Sequence, residues 1–60
     1  MMYKLLKNGF WYVGKRLGMT GLELIPVWTE IKEDSMTFSS LDYAIARAND
    51  LEATVVEVWE

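Results

Sequence analysis

From Phe38 to Leu51 the chain takes on a helical period, so whatever else forms must offer one short helix a surface to lie on. Ser39 is a good N-cap, and Asp42 three positions later makes the pair a shortened capping box. The aspartate also places its charge in the first turn, where the helix dipole favours it. Phe38 and Tyr43 are then spaced as a hydrophobic staple that fixes the angle of entry. Leu41, Ala44, Ile45, Ala48 and Leu51 follow the i, i+3, i+4, i+7 spacing of a buried stripe, while Asp42, Arg47, Asn49 and Asp50 fall elsewhere. The alanines allow close approach to a sheet.

The rest of the chain reads as strands. Residues 2 to 7 alternate loosely, and Asn8-Gly9 separates them from Phe10-Trp11-Tyr12-Val13. Asn-Gly between β-rich runs marks a two-residue hairpin, because both positions must accept positive φ. That loop pairs Lys7 with Phe10, Leu6 with Trp11, Leu5 with Tyr12 and Lys4 with Val13. Tyr3, Leu5, Phe10 and Tyr12 then share the richer face, which is assigned to the core, and Leu6, Trp11 and Val13 share the other.

Gly18-Met19-Thr20-Gly21 reads as the next turn. Leu22 to Lys32 is a third strand with Ile25, Val27, Thr29 and Ile31 on one side and Leu24, Pro26, Trp28 and Glu30 on the other. Pro26 cannot donate to a ladder, so that strand is at an edge, bulged or broken there. Glu33-Asp34-Ser35 is a polar turn. The helix frays after Asn49-Asp50, and Ala53 to Glu60 forms the last strand, with Thr54, Val56 and Val58 opposed to Val55, Glu57 and Trp59. The expectation is an α+β fold: a small β-β-β-α-β domain over residues 1–60, mainly antiparallel, with one helix packed on one face.

Sixty residues lie near the lower limit for folding alone, and such chains often add disulfides, a metal or a partner. This one has no Cys and no His, which excludes disulfides, thiolate nucleophiles, imidazole bases and the usual zinc ligand sets. Partner binding is the remaining source of stability. No apolar run approaches a membrane span and no secretory signal pattern is present, so a cytoplasmic protein without a membrane partner is expected. Met1-Met2 suggests a complete small reading frame. Charge is uneven: Lys4, Lys7, Lys15 and Arg16 give the first eighteen residues +4, and nine acids against Lys32 and Arg47 give the remainder −7. Such asymmetry steers encounters with charged partners. Four basic residues are thin for a nucleic-acid footprint, and −7 is thin for a DNA mimic.

The tryptophans are the sharpest feature. On the phases above Trp11, Trp28 and Trp59 all lie on the face away from the helix, where with Leu6, Val13, Leu24 and Val55 they would form an apolar patch of the kind that marks interaction sites. A one-residue slip of any strand exchanges its faces and sends its indole into the core. The expected protein-binding residues are Trp11, Val13, Arg16, Leu24, Trp28, Glu30, Glu57 and Trp59. Glu23, Glu30, Glu57 and Glu60 have no calcium-loop or paired-carboxylate spacing and read as solvated strand edges. Gly14, Gly18 and Gly21 lack the strand–glycine–helix order of a phosphate loop and read as turn or bulge glycines. Lys15-Arg16 beside Phe10-Trp11-Tyr12 offers a minor reading as a single-strand stacking platform. No catalytic residue, cofactor or metal is expected.

At Phe10-Trp11, Pro26-Val27, the helix entry Phe38-Ser39-Ser40-Leu41-Asp42-Tyr43-Ala44 and the closing Val55-Val56-Glu57-Val58, the chain resembles small phage proteins that inhibit host RNA polymerase and some anti-CRISPR proteins. The likeness covers roughly residues 10 to 58 and is one of pattern, shared with unrelated small bacterial domains of strand-strand-strand-helix type. It implies a compact acidic protein that acts by binding a host protein or complex such as a polymerase, nuclease or defence system. The alternative is a non-catalytic homodimer joined through the tryptophan face.

Overall fold

Asn8 and Gly9 both adopt positive φ, 53° and 83°, and so close a two-residue hairpin between β1 (Met2–Lys7) and β2 (Phe10–Leu17). The register is the one the turn dictates, with Lys7 opposite Phe10 and Leu6 opposite Trp11. The computed structural model describes residues 1–59, and Glu60, with the carboxylate reading attached to it, lies outside the described residues. After β2 come β3 (Leu24–Thr29), a single 3-10 turn (Lys32–Asp34), α1 (Leu41–Leu51) and β4 (Thr54–Val58). The four strands form one antiparallel sheet in the order β3-β2-β1-β4, with the helix on one face. This is the α+β architecture and element order that the sequence predicts.

Beyond Leu6 and Trp11 the first two strands separate, and the expected pairs Leu5–Tyr12 and Lys4–Val13 do not form. The segment Met36–Phe38 enters the fork instead. Met36 N–H donates to the Tyr12 carbonyl at 2.9 Å, and Phe38 exchanges two backbone hydrogen bonds with Tyr3, at 2.7 and 2.8 Å. Lys4 holds the preceding turn in place, its ammonium donating to the Lys32 carbonyl and to the Ser35 carbonyl and hydroxyl. Val13 is an extra residue on β2, because Tyr12 pairs with Trp28 while Gly14 pairs with Val27. Gly14, with φ of 149°, supplies the backbone conformation this bulge needs. Past the bulge, β2 and β3 continue as a two-stranded arm, in a molecule measuring 38 × 23 × 18 Å. The arm ends in a turn over Gly18–Gly21, closed by a Gly21 N–H bond to the Gly18 carbonyl.

The helix begins later than its sequence suggests. Ser40, not Ser39, is the N-cap, its hydroxyl accepting from Tyr43 N–H at 3.3 Å. Phe38 is committed to the bridge with Tyr3, so the chain is still extended there and the helix cannot include it. The Phe38–Tyr43 contact does form, with ring centroids 5.6 Å apart, although one position out of staple phase. With Ser40 as the cap, Asp42 falls at the second helical position and the capping box is not made. At the other end the helix runs through Asn49-Asp50 to Leu51, where Glu52 takes a left-handed conformation.

The core contains Leu5, Tyr12, Phe38, Ala44 and Ala48, with Tyr3, Trp28, Leu51, Ala53 and Val55 packed around it. The helix lies mainly on β1 and β4, so its narrow alanine strip is buried, with Leu51 packed against the core at its C-terminal end. Leu41 and Ile45, expected in the buried stripe, are 45% and 43% exposed. Phe10, expected in the core, is half exposed, at the hairpin end of its strand.

Three face assignments are corrected: Trp28 and Leu24 on β3, and Val55 on β4. Trp28 pairs with Tyr12 and meets its ring edge-on at 5.5 Å, so it belongs to the helix side of the sheet. Val55, opposite Leu5, packs on the core as well. Tyr12 stacks on Phe38, Trp28 extends that cluster on to β3, and the β-branched row Ile25, Val27 and Thr29 turns to the back. The strand is shorter than Leu22 to Lys32, and Pro26 does lie on an edge strand.

Candidate protein-binding surface

The eight residues expected to form one binding surface are divided among both faces and both edges. Trp11 lies on the back of the sheet, opposite Leu6 and Thr29, with the Lys32 ammonium 5.3 Å above its ring. Val13 is at the bulge, and Arg16 lies opposite Ile25 on the arm. Leu24 lies across from Leu17 on the helix side, and Trp28 is packed against the core. Glu30 follows β3, Glu57 is in β4 at the far edge, and Trp59 lies beyond it, 80% exposed. No continuous tryptophan face exists, because Trp28 has been drawn to the other side.

A different surface takes its place. The arm presents Leu17, Met19, Leu22 and Leu24 to solvent, at 62, 102, 92 and 61% exposure. Four large apolar side chains at one end of a small protein are the kind of patch that soluble monomers seldom leave uncovered. Leu24 is among the expected binding residues, though on the other face; Leu17, Met19 and Leu22 are not, because hydrophobic periodicity marks a buried face and these flank the arm turn outside the core. The available signal was the turn itself: Leu17, Met19 and Leu22 crowd around Gly18 and Gly21, where a solvent-facing hairpin tip usually carries polar residues.

The arm also borders a cleft. Because the helix rests on β1 and β4, the helix-side surface of β2 and β3 is left partly open. A cavity of about 290 Å³ opens there, lined by Tyr12, Lys15, Leu24, Met36, Tyr43 and Arg47 together with Gly14. Its floor is apolar and its rim is cationic. Arg47 donates to the Tyr43 hydroxyl at 3.2 Å, sits over that ring, and meets Asp50 at 3.6 Å. The hydrogen bond to Tyr43 raises the Arg47 pKa further above its ordinary value, so its charge is fixed at any working pH. Lys15, opposite Pro26 on the arm, supplies the second cation. An apolar segment bearing a carboxylate matches this combination of floor and rim.

The remaining candidate sites have less to offer. Among the described residues no group of three acidic side chains comes together in a geometry that would hold a metal ion. Gly14 is a bulge glycine, and Gly18 and Gly21 belong to the arm turn, as the sequence indicates. No helix among the described residues is long and apolar enough to cross a membrane. No family model matches the chain, and neither the curated proteins nor the solved structures contain a significant match to it.

Proposed function

We propose that this protein is a binding module that docks on a partner protein through the apolar tip of its β2–β3 arm and the cationic-rimmed cleft at the arm's base. The observation that carries this reading is the exposure of Leu17, Met19, Leu22 and Leu24 on an arm that does not belong to the core. Apolar side chains held out in this way cost solubility and add nothing to folding, so covering them by a partner is their reasonable use. The partner surface is apolar with carboxylates at its margin, complementary to Lys15 and Arg47. The finer reading is that a phage or mobile element encodes the protein to inhibit a host polymerase, nuclease or defence complex in the host cytoplasm. It rests on the resemblance at Phe10-Trp11, Pro26-Val27, the helix entry and the closing strand. On this reading the protein acts by occupying a surface, with no catalytic step.

The test compares the wild-type chain with a Met19→Ser/Leu22→Ser variant. Both positions are fully or almost fully exposed, so the variant should keep its stability within ~0.5 kcal/mol. Each tagged protein is passed through bacterial lysate, and the captured material is identified and assayed. A stoichiometric protein that the wild type retains and the variant loses, and whose activity falls when the wild type is titrated in, supports the proposal. A partner held equally by both, or none held by either, rejects it.

A further inference from the structure

We infer that the outer edge of β4 is a self-association site, where two copies of the chain pair across a two-fold axis into one continuous eight-stranded sheet. This inference is independent of the arm and of what the arm binds.

The direction of each backbone group follows from the fork. Tyr3 spends both its N–H and its carbonyl on Phe38, on the side of β1 away from β4. In an antiparallel strand both groups of one residue point the same way, so the Tyr3–Glu57 pair is not hydrogen-bonded. By alternation Thr54, Val56 and Val58 bond inward to β1, and Val55 and Glu57 turn their N–H and carbonyl groups outward. No strand among the described residues pairs with that side. The opposite edge of the sheet differs. On β3 the same alternation points Pro26 outward, so the edge lacks a donor at its centre, and the neighbouring strand is bulged. One edge is blunted and the other is left open.

The open edge also selects its own register. Centring the two-fold axis on Val56 pairs Val55 with the partner's Glu57 and Glu57 with the partner's Val55, so each outward donor meets an outward acceptor. Centring it on Glu57 sets two carboxylates face to face, which is repulsive. Centring it on Val55 needs the Ala53 N–H, which already donates to the Ala48 carbonyl at 2.8 Å. Of these three registers the Val56 one satisfies both backbone and charge, and it brings the two Val56 side chains together on the back of the joined sheet. Such an edge buries a modest area, so the dimer is concentration-dependent.

Sedimentation equilibrium over micromolar to millimolar concentrations tests this. The wild type should approach twice the monomer mass at the upper end. Glu57→Pro removes one outward donor without touching the ladder to β1, and should stay monomeric with an unchanged far-ultraviolet spectrum. If that variant does not fold, a synthetic chain with an N-methylated Glu57 amide makes the same deletion with the side chain intact. In parallel, amide exchange at Val55 and Glu57 should slow as wild-type concentration rises, while exchange at Val56 should not respond. A wild type that is monomeric throughout overturns the inference. So does a dimer that survives either Glu57 modification, or concentration-dependent protection confined to the arm.

Discussion

The segment that fills the fork makes Phe38 the most informative position to perturb. Its side chain is 5% exposed and lies between two rings, Tyr12 at 6.3 Å and Tyr43 at 5.6 Å, while its backbone ties the helix entry to β1. Phe38→Ala removes a buried aromatic, a change worth about 3–5 kcal/mol, and the loss of two ring contacts places it in the upper part of that range. A domain of this length has a total stability of roughly 3–9 kcal/mol at ordinary values per residue. The variant should therefore be largely unfolded at room temperature, or fold only with an osmolyte such as trimethylamine N-oxide. Phe38→Leu keeps most of the volume and loses the rings, and should cost about 1–2 kcal/mol. Phe10→Ala is the control: the same residue type in the same sheet, 41% exposed, for which a similarly small loss is expected. Urea unfolding followed by circular dichroism measures all three against the wild type. If Phe38→Ala costs no more than Phe10→Ala, the fork is not a structural joint and the reasoning fails.

Further expectations concern the two sheet faces, the helix and pH. Trp28→Ala should destabilise by about 3 kcal/mol and Trp11→Ala by about 1 kcal/mol; comparable losses in urea unfolding would contradict the placement of the two indoles. Ile45→Asp, at a half-exposed position, should cost under about 1 kcal/mol, whereas Ala48→Asp buries an unpaired carboxylate and should unfold the protein. An unfolded Ile45→Asp variant would mean that the helix buries a wider stripe. Burial raises the Tyr12 pKa above its ordinary value of 10.0, with Arg47 opposing and Tyr43 adding to the shift. Below that pH both states carry a neutral phenol. Above it the unfolded chain ionises first, so stability falls as pH rises from about 10 towards the folded-state pKa. The thermal midpoint should drop less steeply over this window in Tyr12→Phe, and parallel curves would refute the assignment.

What the sequence revealed divides by range. Asn8-Gly9 could be read to the residue because its constraint is local: two positive φ values fix a turn, and the turn fixes the register. The alanine strip of the helix was legible for the same reason. The N-cap was not, since Ser39 and Ser40 are chemically equivalent and the bridge from Phe38 to Tyr3 decides between them. The side taken by Trp28 follows from its pairing with Tyr12, a matter of register between two strands and not of one strand's alternation. The separation of β1 from β2 has no local signature, and with it went the arm and its cleft. The expected residues do not share one face, because Trp28 lies on the helix side while Trp11 lies on the back.

The fork also bears on the order in which the chain can fold. The two hairpins are local and close on the timescale of microseconds. Strand β1, however, receives Phe38 from the middle of the chain and Val55 from near its end, so the sheet is sealed only by contacts of long sequence separation. Loop-closure entropy must be met before those contacts return anything, which makes this a slow folder for its size. Substitutions at the β1–β4 seam, such as Val55→Ala, should then slow folding, while changes on the arm should leave both rates nearly untouched.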